Sequence, residues 1–321
     1  MHYARSEAKQ AARKDFTGIW AAATTPFTSD GRLDRDAIMS DMNHLTGNLH
    51  VGGVFCTGVM GEFWALTDDE RRQAVEATVE AATGKCPVLA HTGHHSARTT
   101  IELTRHAERA GADYAVVMTP YYPPASTEGL RAWYHEVISS VDIGVWLFDT
   151  SFSGVTLPMD LIDELADLEN VCGIKVGHDH PRYLETLARV GDRILVCAAN
   201  EGLWLENMRD NGQTVFMSSA VPYLYQTASS QPMREYTELA LRGDYERAAE
   251  VAGTLEPLRA LNSKWLHGQW LRDRKLPIAF VKAWAGLLGM AGGQPRVPLL
   301  GLTDAQQAEL VADLTTAGLL S

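Results

Sequence analysis

The 321-residue sequence lacks the signatures of several common protein classes. Its four cysteines have no CxxC spacing, so they indicate reduced core residues and not a zinc site or a disulfide framework. No apolar run is long enough to span a bilayer, and residues 1–15 lack the apolar stretch of a secretory signal. The net charge of -12 argues against a nucleic-acid-binding surface. We therefore expect a soluble, cytoplasmic protein with neither nucleic acid nor membrane as a partner.

The sequence does contain a succession of short apolar runs, each followed by a segment of helical periodicity. The runs that indicate buried strands are 18–27, 51–58, 87–93, 113–120, 143–149, 171–176, 194–199 and 215–221. Continuously apolar strands that alternate with amphipathic helices are typical of a parallel sheet covered by helices. Eight such units favour a TIM (β/α)8 barrel. No GxGxxG motif follows the first run, which argues against an open dinucleotide-binding sheet.

The strand pattern stops near Tyr223, and helical patterns continue to about residue 317. We predict three parts: a flexible N-terminal tail (1–15), the barrel (16–222) and a C-terminal helical extension packed on the barrel (223–321). An exposed leading helix is the alternative for residues 1–15. The extension is a candidate surface for subunit contacts.

Lys175 lies in an otherwise apolar strand-like stretch, 171–177. Burying an ammonium group costs on the order of several kcal/mol unless the group is paired or loses its proton. A neutral lysine is a nucleophile towards carbonyl groups, whereas a salt-bridged core lysine would explain the local pattern equally well. The position of Lys175 favours a catalytic role, because barrel enzymes hold their active sites at the carboxyl ends of the strands.

Five short motifs occur in order along the chain: 23–27 with Asp30-Gly31, Gly58-x-x-Gly61-Glu62, 119–122, 173–175 and 277–282. Together they make residues 16–319 resemble the dihydrodipicolinate synthase / N-acetylneuraminate lyase superfamily of Schiff-base-forming class I aldolases. The resemblance implies that Lys175 forms an imine with a 2-oxo acid such as pyruvate, without a metal or organic cofactor, in a homotetramer or homodimer. We therefore expect a lyase or aldolase that cleaves a carbon–carbon bond or condenses the acid with an aldehyde. A hydro-lyase or hydratase-aldolase of the same superfamily is the alternative.

Several positions depart from the pattern of that superfamily. Val59 and Met60 replace two hydroxyl residues that bind the substrate carboxylate, which leaves only backbone donors in the Gly58-x-x-Gly61 turn. Phe148 replaces a tyrosine that relays protons, and no arginine for a second substrate occurs in 148–154, which argues against a lysine-biosynthetic synthase. Asn200 replaces an aspartate of the neuraminate-lyase branch, beside Glu201 at the position of an acidic ligand for sugar hydroxyls.

Because Phe148 cannot relay protons, another group must transfer them. Besides the catalytic candidates named next, the options are His91, a water molecule and the substrate carboxylate. The catalytic candidates are Lys175, Tyr122, His178 and Asp149, and the substrate-binding candidates are Thr25, Gly58, Val59, Met60, Phe148, Glu201 and Ser218. Each has a structural alternative: Tyr122 as a packing or subunit-contact aromatic, His178 as a solvated loop residue, and Asp149 as a cap of the following turn.

Two other function classes fit parts of the sequence. His178-Asp179-His180 has the HxH form of a metal-dependent barrel hydrolase, and His91, His94 and His95 lie at a neighbouring strand end. Such enzymes, however, carry the HxH motif on the first strand, which has no histidine here. A 2-oxo-acid-binding protein without turnover would also fit Phe148 and the Val59-Met60 pair.

An apolar substrate pocket is expected from Val59, Met60, Trp146, Phe148 and Phe152 at the ends of strands 2 and 5. Such a pocket favours an aromatic or aliphatic substituent and leaves sugar hydroxyls unpaired. In the alternative interpretation, Trp146 points outward and Phe148 alone lines the site.

Overall fold

The computed structural model describes residues 2–217 and 219–320, and parallel strands form its centre. The strands are β1 (Gly18–Ala22), β2 (Gly53–Cys56), β3 (Val88–His91), β4 (Tyr114–Met118), β5 (Gly144–Thr150), β6 (Val171–Gly177), β7 (Leu195–Ala198) and β8 (Val215–Phe216). Their order in the sheet is β7-β6-β5-β4-β3-β2-β1-β8. Because β7 and β8 also contact each other, the sheet nearly closes, and the predicted TIM barrel is confirmed.

The side chain of Gln213 bridges the seam between the first and last strands of that order. Its Nε2 donates to the carbonyl of Val215 in β8 at 2.8 Å, and its Oε1 accepts from the amide of Ala198 in β7 at 3.3 Å. A buried amide side chain therefore satisfies backbone groups where the short strand β8 ends the ladder.

Helices cover the outside of the barrel and continue beyond it. They are α1 (Ala8–Asp15), α2 (Arg35–Asn43), α3 (Asp68–Ala82), α4 (Ala97–Ala110), α5 (Thr127–Ser139), α6 (Met159–Ala166), α7 (His180–Val190), α8 (Trp204–Asn211), α9 (Val221–Leu224), α10 (Pro232–Leu241), α11 (Tyr245–Gly253), α12 (Glu256–Asn262), α13 (Gly268–Asp273), α14 (Ile278–Leu287) and α15 (Asp304–Thr316). Among the helices within 2–217 and 219–320, none has the length and apolar character needed to cross a membrane.

Large aromatic side chains fill the lower part of the barrel interior. Trp20 of β1 and Trp146 of β5 are fully buried there. They fit because glycines face them: an added Cβ would lie 2.3 Å from the Trp20 ring at Gly53 and 2.7 Å from the Trp146 ring at Gly173. The interior is thus a packed core below the site and not a channel.

Residues predicted to form a flexible tail instead form a helix that packs against the barrel. Helix α1 buries Ala8 and Ala12 in the same cluster as Trp20, and the following Phe16 stacks on Trp20 at 4.2 Å between ring centroids. Lys9 adds a hydrogen bond to the carbonyl of Ala166 at 2.6 Å. The tail prediction is corrected because alanines at helical spacing let the helix approach the barrel closely.

The region predicted as the extension includes a helix of the barrel ring. Helix α10 packs on β1 and α8, where it covers the outside of the first strand. The division between barrel and extension therefore lies beyond the predicted residue 222. Helices α11 to α15 continue from there, and Trp284 of α14 and Leu310 of α15 are fully buried.

Candidate active site

Lys175 projects from β6 into the upper part of the barrel interior. Its side chain is buried, and its Nζ lies 4.5 Å from the ring centroid of Phe148 and 4.8 Å from that of Phe55. Burial lowers the pKa of Lys175 from 10.5 to about 8, because an apolar environment disfavours the charged form. An amine with that pKa is neutral in about one molecule in ten at pH 7, far more often than an exposed lysine. The site therefore supplies a nucleophilic amine near neutral pH.

The two phenyl rings beside Lys175 come from different strands. Phe148 pairs with Lys175 in the register of β5 and β6, and the rings of Phe55 and Phe148 meet edge to face at 6.5 Å. Phe55 was not among the sequence candidates. Its signal was the alternation of β2, since residues two apart point to the same side of a strand.

Trp146 does not line the mouth of the barrel. It faces inward, on the same side of β5 as Phe148, but it lies one layer lower and packs against Phe16 at 4.5 Å. Phe152 lies at the mouth and contacts the ring of Trp270 at 4.6 Å. The prediction that Trp146 belongs to the apolar cluster at the strand ends is therefore wrong. The alternative, in which Trp146 points outward, is also wrong, because residues 146 and 148 share one face of β5.

The turn that follows β2 presents backbone N–H groups. The amides of Gly61 and Phe63 donate to the carbonyl of Gly58, and the amide of Glu62 donates to the carbonyl of Val59. Within 2–217 and 219–320, no acceptor binds the amides of Val59 and Met60. Successive N–H groups of this kind can bind a carboxylate.

Thr25, in the loop after β1, supports this turn. Its hydroxyl is buried and donates to the carbonyl of Gly61 at 2.8 Å. Gly58 is needed for a different reason, because an added Cβ would lie 2.7 Å from the ring of Phe55. Thr25 therefore positions the turn, and Gly58 leaves room for the ring that covers Lys175.

Asp149 and His178 lie outside the barrel wall, which corrects their prediction as proton-transfer groups beside Lys175. Asp149 follows Leu147 on the outward face of β5. Its Oδ1 accepts from the amide of Leu157 at 2.9 Å and lies 3.1 Å from His178 Nε2, while Arg182 of α7 donates to its Oδ2 at 3.3 Å. The carboxylate joins a strand, a loop and a helix, and its contacts are structural.

Glu201 is likewise occupied by side chains of the helices. Its Oε1 accepts from the hydroxyl of Tyr236 at 2.8 Å, and the guanidinium of Arg259 donates to both carboxylate oxygens at 2.9 Å. Three donors thus occupy most of the roughly four acceptor sites of this buried carboxylate, which gives it a structural role. The prediction of Glu201 as a substrate ligand is corrected: it connects the end of β7 to α10 and α12.

Two predicted site residues, Tyr122 and Ser218, remain. Tyr122 is 69% exposed in the loop after β4, whereas Lys175 is buried. Ser218, predicted to bind substrate, lies outside the described residues.

His91, at the end of β3, is on the inward face two residues after Leu89 of the interior cluster. Its Nδ1 lies 3.1 Å from the carbonyl of Thr57, which can only accept, so Nδ1 carries the proton and Nε2 holds a lone pair. Among the described residues, Nε2 has no hydrogen-bond partner. Burial, and then the charge of Arg71, hold the pKa of His91 well below its usual range, so the ring is neutral.

The described residues contain no group of three or more His, Cys, Asp or Glu side chains placed to hold a metal ion. His178 of the HxH motif contacts Asp149, and His91 is on the inner side of the barrel wall. The fold does not bring the histidines of the hydrolase alternative together.

Comparison with known proteins gives consistent relatives. Residues 15–317 match the Dihydrodipicolinate synthetase family. The 4-hydroxy-tetrahydrodipicolinate synthase of Methanosarcina mazei is 31% identical over 311 residues, which are 95% of this chain and 99% of that protein.

Two solved structures extend the comparison to the fold. YagE, a prophage protein of the dihydrodipicolinic acid synthase family from E. coli K12 in complex with pyruvate, has a TM-score of 0.83 at 27% identity and covers 95% of this chain and 99% of its own. The N-acetylneuraminate lyase of Proteus mirabilis has a TM-score of 0.80 at 23% identity, with 95% of this chain and 100% of its own covered, and that likeness concerns the fold alone.

Proposed function

The chain belongs to the dihydrodipicolinate synthetase family and is a Schiff-base-forming lyase or aldolase for a pyruvate-like 2-oxo acid, and we propose that Lys175 is its nucleophile. The observation that supports this assignment is the burial of Lys175 Nζ between the rings of Phe55 and Phe148, with a pKa of about 8. The neutral amine attacks the carbonyl carbon of the acid, and the resulting carbinolamine takes up a proton and loses water to give an iminium ion. That cation accepts the electron pair when a carbon–carbon bond breaks or an adjacent proton leaves.

The turn after β2 is proposed to bind the carboxylate of the 2-oxo acid. The amides of Val59 and Met60 are the donors, since neither side chain carries a hydroxyl group. The rings of Phe55 and Phe148 then lie beside the iminium ion. Aromatic ring faces attract a cation, so they favour this intermediate while they exclude water.

His91 is the candidate that we assign to proton handling. Of the groups considered from the sequence, Asp149 and His178 are outside the wall and Tyr122 is exposed, whereas His91 faces inward with an available lone pair on Nε2. A neutral imidazole held at Nδ1 can accept a hydrogen bond from the carbinolamine hydroxyl or from a water molecule.

The second substrate is an aldehyde, and cleavage and condensation are both compatible with the proposed chemistry. A hydro-lyase or hydratase-aldolase of the same superfamily uses the same iminium ion and is the second candidate. We further propose that the protein acts in the cytoplasm as a homo-oligomer, in line with its net charge of -12.

Borohydride trapping tests the proposal. The protein is incubated with each of a panel of 2-oxo acids, reduced, and analysed by intact mass and peptide mapping. We expect an adduct on Lys175 with at least one acid and none in the Lys175→Arg variant. The His91→Phe variant should still form the adduct but turn over more slowly. A folded wild-type protein that forms no adduct with any acid would exclude the Schiff-base assignment.

A further inference from the structure

Lys282 ends the last of the five motifs that support the family resemblance, and the proposed chemistry gives it no role. It lies in α14 of the C-terminal region, and its side chain is fully buried. Its Nζ donates to Glu62 Oε1 at 2.6 Å and to the carbonyl of Gln294 at 3.1 Å. A helix 220 residues away in sequence therefore contacts the turn that is proposed to bind carboxylate.

Both oxygens of Glu62 are held from the C-terminal region. Oε1 accepts from Lys282, and Oε2 accepts from the backbone amide of Arg296 at 2.9 Å. The guanidinium of Arg296 in turn binds both oxygens of Glu70 in α3, at 2.6 and 2.8 Å. Glu62 is thus fixed in direction as well as in position.

The loop after β1 joins the same cluster through Phe27. The Nζ of Lys282 and the Cζ of Arg296 each lie 4.2 Å from the centroid of the Phe27 ring. The donors of Lys282 therefore meet a carboxylate, a carbonyl and a ring face, an arrangement that compensates a fully buried ammonium.

Glu62 lies two residues after Met60, whose amide is one of the two that are proposed to bind the substrate. Its backbone has a φ of +53°, a conformation that residues other than glycine adopt only when their surroundings impose it. Since Val59 and Met60 have no side-chain hydroxyl to adjust, the direction of their N–H groups depends entirely on the backbone of this turn.

We propose that Lys282 is a positioning residue for substrate binding: its buried ion pair with Glu62 holds the turn 58–61 in the conformation whose N–H groups bind the carboxylate of the 2-oxo acid. The inference rests on the proposed function, because it concerns the same turn. It assigns to the C-terminal region a part in the recognition of the acid, at a distance from Lys175.

The test measures pyruvate affinity and turnover separately in Lys282→Met and Glu62→Gln. We expect the KM for pyruvate to rise on the order of tenfold in each variant, because a displaced turn loses hydrogen bonds to a charged group. Turnover at saturating pyruvate should stay within about threefold of wild type, since Lys175 is unchanged. Borohydride should still trap Lys175 fully at saturating pyruvate.

The matched control is Lys264→Met. Lys264 also pairs with two carboxylates of the C-terminal region, Glu309 and Asp313, but on the surface, so its loss should leave the KM unchanged. Glu62→Gln keeps the size and an acceptor oxygen, so it carries the test if Lys282→Met does not fold.

The outcomes separate the two levels of inference. Folded variants with an unchanged KM for pyruvate, whether or not turnover is reduced, would overturn the positioning role. Trapping of wild-type Lys175 would in that case still support the proposed function. Absence of trapping in the wild type would overturn both.

Discussion

Two buried lysines in this chain differ in what surrounds them. Lys175 has two phenyl rings against its Nζ, whereas the Nζ of Lys282 contacts the carboxylate of Glu62 at 2.6 Å. Burial lowers the pKa of both amines, but at Lys282 the charge of Glu62 opposes that effect. Burial therefore does not by itself make a lysine a nucleophile. A carboxylate beside a buried amine favours the charged form, as Glu62 does at Lys282.

Local sequence does not separate the two lysines. Lys175 lies between Ile174 and Val176, and Lys282 lies between Val281 and Ala283, so each appears as one cation in an apolar run. At Lys282 the fold supplies a carboxylate partner. For Lys282 that partner is Glu62, which is remote in sequence.

The largest expected difference comes from replacing each lysine by methionine. Lys175→Met should abolish adduct formation and lower turnover by at least about a thousandfold, because the nucleophilic amine is lost. Lys282→Met should lower the free energy of unfolding by about 3–5 kcal/mol, because Glu62 stays buried without its partner.

Urea unfolding followed by circular dichroism, together with an assay of pyruvate trapping, measures both effects. The surface variant Lys264→Met serves as the control for loss of a charge. Adduct formation and turnover retained in Lys175→Met, or an unchanged free energy of unfolding in Lys282→Met, would refute the roles assigned here.

The pH dependence of trapping is the next largest effect. The attacking species is the neutral amine, and the pKa of Lys175 is about 8, so the neutral fraction grows as the pH rises towards that value. At low pyruvate concentration we expect the trapping rate to rise about tenfold per pH unit below pH 7.5 and to level off above about pH 8.5. A rate that continues to rise beyond pH 10 would mean that Lys175 has an ordinary pKa.

The smallest expected effect is a change in aldehyde preference when the ring of Phe148 beside Lys175 is altered. With Phe55 and Phe148 at the site, an aromatic or alkyl aldehyde should condense with the 2-oxo acid at a higher kcat/KM than N-acetylmannosamine. Phe148→Tyr should keep activity and raise kcat/KM for the sugar by about tenfold or less, because it adds one hydroxyl beside the amine.

Phe152→Tyr is the control for that substitution, since it adds the same hydroxyl at the mouth, where Phe152 contacts Trp270. The measurement is kcat/KM for both aldehydes in the three proteins. Preference of the wild type for the sugar would contradict an apolar pocket.

Much of the fold could be predicted from the sequence because its signals are local. Of the eight strands that the structure describes, six lie within a predicted apolar run, and β5 and β6 extend one residue beyond theirs. A capping box of Thr67 and Glu70, which is also a local signal, begins α3. The N-terminal tail was mispredicted because its polar residues indicated an exposed segment, although its alanines pack on the barrel. Helical spacing of Ala8, Ala11 and Ala12 was the available signal.

The candidate site was less predictable, because a position at a strand end does not give the direction of a side chain. Lys175, Asp149 and Glu201 all lie near the carboxyl ends of strands, yet Lys175 alone of these three faces the interior, while the other two bind arginines of the surrounding helices. Charge and position in the sequence are equally consistent with both outcomes.

The sequence by itself determined the barrel, the family and the lysine at the end of the sixth strand, because these depend on periodicity and on short motifs along the chain. Tertiary structure decided what each polar residue contacts. It placed Phe55 over Lys175, Arg259 on Glu201 and Lys282 on Glu62. Burial and partners set the charge state of a side chain, and both come from segments remote in sequence, so only the folded chain fixes them.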